Sequence, residues 1–502
     1  MDYATEGHSL PSPSCGDGRK RNVCYYYDSG IANVDYGAEH VMVPRRVAMT
    51  HALVASYGLL PHMTRLRTTP ATEHDLRAFH DDGYVRLLRD ITPDGYYRRH
   101  DNNIRARARA CRVGVPDEDE EADGGHYDNP VIDGLWDYCL RYAGGSLAAA
   151  RALAGGRSDI AINWSGGMHH ACSGKASGFC YVNDIVLAIQ HLLDTFARVL
   201  YVDIDVHHGD GVEEHFKADH RVMTVSFHRY DGDQYFFPGT GKAGDVGEGK
   251  GKYRTLNVPM KAGMDDASYL HSLFVPIMDT VMSRFQPDAV VLQCGADSLY
   301  GDRLGGFNLS VSGHAACVSY LRSCNVPLLL LGGGGYTVNH VASCWCYETA
   351  VAVGKEEEIP DDIPHHGYEH YYRDQGYKLH YPVPKKSSIK KEDVDKIKQD
   401  ALENLSMLNE PPPTSTVVLH HRPSTTHAID HHKALYDDDY NPRSKRHRED
   451  DDPMERLHRL CGKADAIKFF TDLGKTYMKG KNINSPTRSA PSSIQSRPNS
   501  KD

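Results

Sequence analysis

The sequence predicts an α/β fold, with a single large domain built on a mainly parallel β-sheet covered by helices, followed by a disordered C-terminal tail. Three observations predict it. Five short apolar runs have the composition of buried strands, and helical patterns separate most of them. Beyond residue 384 the chain turns to charged, low-complexity sequence with few apolar clusters, which is not expected to offset its own ordering entropy.

The predicted elements follow one another along the chain. Strands are expected at residues 159–163, 199–205, 222–227, 289–294 and 327–331. Helices are expected at residues 183–194 and 265–285, where apolar side chains recur on one face. Thr337 is a candidate N-cap for a helix after the fifth strand. Because strands and helices alternate, the sheet should be mainly parallel, with ligands bound beyond the carboxyl ends of its strands.

Composition divides the chain into three segments. We expect a flexible N-terminus at residues 1–22, a folded domain at residues 23–384 and a mostly disordered, low-complexity tail at residues 385–502. Within the tail, residues 457–477 are a candidate short helix.

Charge and hydropathy exclude several classes of protein. The 502 residues carry a net charge of −10, which favours a basic partner over direct nucleic-acid binding. No run approaches the roughly 18 apolar residues of a membrane-spanning helix, and the first twenty residues lack an apolar signal segment. Twelve cysteines are too sparse for a disulfide scaffold, so reduced thiols are expected.

Charged residues follow the second predicted strand with a period of two. Asp203, Asp205 and His207 should therefore point to one face, and Asp297 follows a strand that could lie beside it. Asp205, His207 and Asp297 would bind a metal and leave one position open for water, the arrangement that catalytic zinc requires. The alternative is a buried hydrogen-bonded network. The cost of desolvating so many charges favours the metal.

Other strand ends carry further candidate side chains. His169 and His170 follow a Gly-Gly turn, and carboxylates such as Asp203 and Asp210 could orient their rings for general-base catalysis. Tyr336 follows four glycines, which would let the backbone pass close to a ligand. Two phenylalanines could line a channel, although a phenylalanine taken singly is more often an ordinary core residue. They are Phe179 and Phe237.

These motifs resemble the class I zinc-dependent histone deacetylases. The matching runs are GGMHH, ASGFCYVND, YVDIDVHHGDGVEEHF, VMTVSFH, FFPGTG, VLQCGADSLYGDRLG and LLLLGGGGYT, and the similarity is nearly continuous from residue 25 to residue 353. The resemblance implies the arginase-deacetylase fold with a parallel eight-stranded sheet. It also implies hydrolysis of N6-acetyl-lysine on histone tails, inside a corepressor complex that represses transcription. The expected location is the nucleus, with a share in the cytoplasm left open.

The resemblance also implies residue roles. Zinc would bind Asp205, His207 and Asp297, with iron(II) as the alternative metal. The catalytic groups would be His169, His170, Tyr336, Asp203 and Asp210. Asp128, Gly178, Phe179, Phe237 and Leu304 would bind the substrate, and Arg46 would lie at an internal cavity. Potassium would bind through Asp203 and Ser226.

The chain departs from the family pattern in three places. An acidic insertion, defined here as residues 117–123, precedes Asp128, and two extra residues lie around 231–234. Val43 and Asn339 stand where the family usually has a lysine and an arginine that bind inositol phosphate, so we expect this ligand to bind weakly. Two other functions remain as alternatives. The first is an arginase-like two-metal hydrolase, which would need a second aspartate where this chain has Leu299. The second is a catalytically weak scaffold for partner proteins.

Overall fold

The computed structural model describes residues 21–114, 128–232, 235–384 and 389–408. The acidic insertion, the candidate helix at 457–477 and nearly all of the predicted flexible N-terminus lie outside these ranges. No described helix is both long enough and apolar enough to cross a bilayer.

An eight-stranded, fully parallel sheet forms the centre of the fold, which confirms the predicted fold class. Its strands are β1 (Val23–Tyr27), β2 (Thr64–Arg67), β3 (Ile160–Asn163), β4 (Val199–Asp203), β5 (Val222–Arg229), β6 (Thr255–Met260), β7 (Ala289–Gln293) and β8 (Leu328–Leu331). Their order across the sheet is β2-β1-β3-β8-β7-β4-β5-β6. The five strands predicted from apolar runs are therefore neighbours, and their carboxyl ends share one edge.

Helices connect the strands and cover the sheet. Those described are α1 (Ser29–Ala32), α2 (Arg45–Ser56), α3 (Glu73–Leu76), α4 (Asp82–Asp90), α5 (Asn102–Ala110), α6 (Leu135–Ala154), α7 (Asp184–Leu192), α8 (Asp210–Phe216), α9 (Val275–Phe285), α10 (Val311–Ser323), α11 (Val338–Val353) and α12 (Lys391–Ser406). Shorter helical turns are Leu60–His62, Asp94–Arg98, Gly249–Gly251, Ala267–Phe274, Ala296–Ser298 and Glu369–Tyr372.

Each face of the sheet buries its own layer of side chains, because successive strand residues point to opposite sides. Leu200 and Val202 of β4 pack in one cluster with residues of α2 and α9 to α12. Val199 and Tyr201 of the same strand pack in another cluster with residues of α6, α7 and α8. The central strands are thus buried on both faces, as their continuous apolar runs predict.

Three predicted elements differ from the structure. The helix expected at residues 265–285 is divided, with a π-helical segment at Ala267–Phe274 followed by α9, because Pro276 has no N–H to continue the helical bonding. Thr337 precedes α11 as predicted, but its hydroxyl donates to the Gly301 carbonyl (3.0 Å) instead of capping the helix.

One segment of the predicted C-terminal tail is ordered in the structure. Residues 391–406 form α12, which buries Val394, Ala401 and Leu405 in the main core. Helical spacing places these three side chains on one face, so the segment gains enough burial to stay ordered. The prediction of disorder for residues 409–502 lies outside the described part of the chain.

Candidate metal centre and catalytic pocket

The strand ends bring three potential metal ligands together. Asp205 and His207 follow β4, and Asp297 lies in the turn after β7, the neighbouring strand. All three side chains are buried, and their nearest donor atoms lie within 4.8 Å of one another. His207 Nδ1 is 3.1 Å from Asp205 Oδ1 and 3.0 Å from Asp297 Oδ2.

These separations fit a single small divalent metal. Ligands bound tetrahedrally at the bond lengths typical of zinc are separated by about 3.3 Å, close to the two distances here. Burial, and the negative charge of Asp205, raise the pKa of Asp297 to about 7, so two adjacent carboxylates are costly to keep ionised without a cation. Three protein ligands leave the fourth tetrahedral position open for water or substrate.

Neighbouring groups fix the orientation of both carboxylates. Asp205 Oδ2 accepts hydrogen bonds from Gln293 Nε2 (2.8 Å) and from the Gly334 N–H (2.8 Å), while Asp297 Oδ1 accepts from the Val206 N–H (2.8 Å). The remaining oxygen of each carboxylate faces His207. A Cβ atom at position 334 would overlap Asp297, which explains the glycine. Gln293 is not among the residues predicted from the sequence, although it ends β7 beside the other strand-end residues.

The aromatic ring of Phe236 and the guanidinium of Arg229 support the His207 ring. The His207 ring stacks on Phe236 with a centroid separation of 5.1 Å, and the Arg229 guanidinium lies 4.2 Å from the centroid of that phenyl ring. Arg229 also donates to Asp231 (2.7 Å) and to the Gly305 carbonyl (2.8 Å). Asp231 belongs to the segment around which the two extra residues lie, so this segment helps to hold Arg229 in place.

Each histidine of the His169–His170 pair lies against the carboxylate expected for it. His169 Nδ1 is 2.8 Å from Asp203 Oδ2, and His170 Nδ1 is 2.7 Å from Asp210 Oδ1. Burial opposes a charge on His169, but the negative charges of Asp203 and Asp205 outweigh it and raise its pKa to about 9. Burial and the charge of His169 lower the pKa of His170 to about 4. The two rings therefore favour opposite protonation states.

Tyr336 reaches the same pocket from the end of β8. Its side chain is buried, and its ring centroid lies 6.5 Å from that of His207 and 5.6 Å from that of Phe179. Arg46 is also buried, and its guanidinium donates to the carbonyls of Gly333 and Gly335, in the run just before Tyr336.

The predicted substrate-channel residues lie around this pocket. Phe237 meets the His170 ring edge to face at 4.8 Å and is 42% exposed, so it lines the accessible side. Gly178 lies against both rings, since a Cβ there would be 2.5 Å from His170 and 2.8 Å from Phe237. Phe179 and Leu304 pack against the apolar cluster that contains Tyr336. Asp128 is exposed, and its carbonyl oxygen lies 3.3 Å from His40 Nε2.

The two residues predicted to bind potassium are cross-strand neighbours. Asp203 of β4 pairs with Ser226 of β5 in the sheet register. The Ser226 hydroxyl is 2.8 Å from His228 Nδ1, and Asp203 Oδ2 accepts from the Tyr201 hydroxyl (2.6 Å). Both predicted ligands therefore lie next to the pocket, and both already form hydrogen bonds within the protein.

One other group in the described part of the chain brings three potential metal ligands together. It consists of His314, Cys344 and Glu348, all fully buried. The 2.6 Å separation of His314 Nδ1 and Glu348 Oε1 is that of a short hydrogen bond and too small for two ligands of one metal. The position two residues after Asp297 holds Leu299, which is buried in the apolar core. A leucine offers no carboxylate for the two-metal site of an arginase-like hydrolase.

Comparison with known proteins adds independent evidence. Residues 40–352 match the family described as the histone deacetylase domain. Histone deacetylase 19 of Arabidopsis thaliana is 54% identical over 409 residues, covering 81% of this chain and 76% of that protein. Histone deacetylase 1 of Bos taurus is 49% identical over 396 residues, covering 79% of this chain and 77% of that protein.

Proposed function

The chain belongs to the histone deacetylase family, in its class I group, and from this premise we propose that it is a zinc-dependent hydrolase of N6-acetyl-lysine on histone tails. One observation carries the proposal. The three buried donor groups of Asp205, His207 and Asp297 converge beside a histidine pair and Tyr336. Amide hydrolysis needs these same components: an activated water, a proton carrier and a donor for the oxyanion.

Asp205, His207 and Asp297 would hold the metal. When bound, zinc supplies Lewis-acid polarisation of the acetamide carbonyl and lowers the pKa of a coordinated water to about 7. The donor set of two carboxylates and one imidazole also suits iron(II), so metal analysis of the purified protein distinguishes the two ions.

The histidine pair would move the protons. The low pKa of His170 favours a neutral ring at pH 7, and with its N–H on the Nδ1 that faces Asp210, its Nε2 is the atom to accept a proton from the attacking water. Asp203 and Asp205 favour a proton on His169. A protonated histidine of this pair then delivers a proton to the leaving lysine amine.

The aromatic walls would select an extended acetyl-lysine side chain. Phe179, Phe237 and Leu304 would offer apolar surface to its methylenes, and the Gly178 carbonyl would accept from its amide. Asp128, exposed beside the pocket, would accept hydrogen bonds from substrate backbone amides. Arg46 would lie at the internal cavity beneath Tyr336, and potassium at Asp203 and Ser226 would stabilise the strand ends.

The decisive experiment is an assay of the purified full-length chain, with its metal content, on an acetylated histone-tail peptide. We expect one metal per chain and release of acetate, with loss of both after chelation and recovery on adding zinc. A catalytically weak scaffold would instead bind partner proteins while releasing no acetate, alone or within its assembled complex. That outcome would replace the proposed enzyme with the alternative.

We predict that the acidic insertion attracts basic histone tails to the pocket. It carries Asp117, Glu118, Asp119, Glu120, Glu121 and Asp123, outside the described residues but a few positions before Asp128. Neutralising these six residues should raise KM for a Lys/Arg-rich acetylated peptide at low salt, and salt should screen the difference. An acetylated peptide of zero net charge is the control. An unchanged KM across ionic strength would indicate an ordinary solvated loop.

We predict weak activation by inositol phosphates. Val43 is half-buried and apolar, and Asn339 donates to the Gln375 side chain (2.7 Å), so both positions lack the cations that a polyphosphate needs. Two missing charge-assisted bonds should weaken binding by ~3 to 6 kcal/mol if they are roughly additive. The measurement adds inositol hexakisphosphate to the assembled complex and compares a Val43→Lys, Asn339→Arg variant. Strong activation of the unmodified protein would contradict the prediction, with Arg303 the first residue to test.

We predict nuclear residence, as expected for an enzyme of chromatin regulation and transcriptional repression within a corepressor complex. Residues 443–448 contain the basic cluster Arg443, Lys445, Arg446 and Arg448, outside the described ranges. Such clusters are read by nuclear import receptors. Replacing its four basic residues with alanine should shift a fluorescently tagged chain toward the cytoplasm. Exclusion of the unmodified chain from nuclei, with its partners present, would contradict the prediction.

A further inference from the structure

The carboxylate of Asp302 joins the loop that carries Tyr336 to the loop that carries Leu304. Asp302 Oδ2 accepts hydrogen bonds from the N–H groups of Tyr336 (2.6 Å) and Thr337 (3.2 Å). Its Oδ1 accepts from the N–H groups of Leu304 (2.9 Å) and Gly305 (3.2 Å). Four backbone donors therefore converge on one side chain, which belongs to the turn after β7 and not to the chain segment of Tyr336.

The segment before Tyr336 needs such external contacts. Residues 332–335 are all glycine, and Gly333 and Gly335 adopt positive φ angles (144° and 125°), so this run has no side chains to hold it in place. Backbone hydrogen bonds tie Gly332 and Gly334 to neighbouring segments. The side-chain contacts are the Arg46 guanidinium on the carbonyls of Gly333 and Gly335, the Asp205 carboxylate on the Gly334 N–H, and the Asp302 carboxylate on Tyr336 itself.

We propose that Asp302 is a positioning residue for the reaction, which fixes the backbone of Tyr336 so that its hydroxyl meets the developing oxyanion. The inference rests on the proposed deacetylase function. Asp302 need not touch the substrate, because it acts through Tyr336. A carboxylate suits this role, since one of its oxygens accepts the N–H groups of residues 304 and 305 and the other accepts those of residues 336 and 337. An asparagine would present an NH₂ group to one pair of N–H donors and lose that link.

The test is a double-mutant cycle on kcat, with wild type, Asp302→Ala, Tyr336→Phe and the double variant. A misplacement of about 1 Å can cost roughly 100-fold in rate, so Asp302→Ala alone should lower kcat by ~10- to 100-fold. In the Tyr336→Phe background the same change should lower kcat by less than ~3-fold, because no hydroxyl remains to be positioned. Asp302→Asn should fall between wild type and Asp302→Ala.

Metal content and thermal unfolding separate positioning from general damage. Each Asp302 variant should keep the metal content of the wild type. Asp28→Ala is the control, since Asp28 is a carboxylate outside the pocket that, like Asp302, accepts from a backbone N–H (Gly30, 2.8 Å), and it also binds the Thr68 hydroxyl (2.9 Å) and Arg141 (2.8 Å). It should lower the unfolding temperature and leave kcat unchanged.

Three outcomes would overturn the inference. One is an unchanged kcat in Asp302→Ala. Another is an equal loss in both backgrounds, which would mean that Asp302 does not act through Tyr336. The third is loss of metal from both Asp302 variants, which would place its role in the metal centre. A wild-type chain that binds metal but releases no acetate from an acetylated histone peptide would instead overturn the proposed function, and this inference with it.

Discussion

Replacing Asp297 by alanine is expected to abolish acetate release and to lower the metal content well below one ion per chain. Asp297 supplies one of three donor groups, and the two that remain leave a divalent metal with too few protein ligands for tight binding. Removal of the carboxylate should cost the metal-free fold little. It deletes the contacts with the Val206 N–H and with His207 Nδ1, but it also removes a buried carboxyl whose ionisation Asp205 opposes.

Paired controls distinguish loss of metal from loss of fold. Asp297→Asn keeps the size of the side chain and an oxygen for Val206, yet loses the charge, so we expect it to bind metal poorly as well. Asp266→Asn changes a carboxylate that accepts from Ser310 outside the pocket, and it should keep both metal and turnover. Elemental analysis and thermal unfolding of the metal-free proteins measure the two effects. Full metal content and turnover in Asp297→Ala would show that the ligand assignment is wrong.

The predictable part of the fold is the centre of the sheet. Five strands are buried on both faces, and their continuous apolar runs identify them without knowledge of their neighbours. The residue pattern did not single out β1, β2 and β6, whose presence only the family resemblance implied. β2 reads Thr-Arg-Leu-Arg at the sheet edge and is largely accessible, so its sequence carries no apolar run. Edge strands owe their place to pairing with a neighbour, which composition does not encode.

In the pocket too, some residues can be identified from their own sequence pattern and others only from their neighbours in the fold. Asp203, Asp205 and His207 are recognisable because they follow a strand with a period of two, although β4 itself ends at Asp203. Gln293 and Asp302 are not recognisable in this way, because their roles depend on hydrogen bonds to segments far away in sequence, Asp205 and Tyr336. Such partners become visible only when the strand order places β7 between β8 and β4. Periodicity therefore predicts the ligands better than it predicts the groups that orient them.

Replacing Tyr336 by phenylalanine is expected to lower kcat by roughly 100- to 1000-fold with little change in KM, as for the loss of one oxyanion donor. Burial raises the pKa of Tyr336 well above its usual range, so the hydroxyl keeps its proton at neutral pH and can donate it to the developing oxyanion. Phenylalanine preserves the edge-to-face contact with Phe179 and the packing beside His207, which leaves the ground-state pocket nearly unchanged. Steady-state kinetics on an acetylated histone peptide measure both constants.

The matched control is Tyr84→Phe, which removes another buried hydroxyl, one that donates to the Tyr181 carbonyl (2.7 Å) outside the pocket. That variant should lose about 1 to 3 kcal/mol of stability, because the Tyr181 carbonyl is left without its donor, and keep the wild-type kcat. A loss of kcat confined to Tyr336→Phe would then come from the missing donor and not from a missing buried hydroxyl. An unchanged kcat with a raised KM would place Tyr336 in substrate binding instead, because only interactions made in the transition state lower kcat when they are removed.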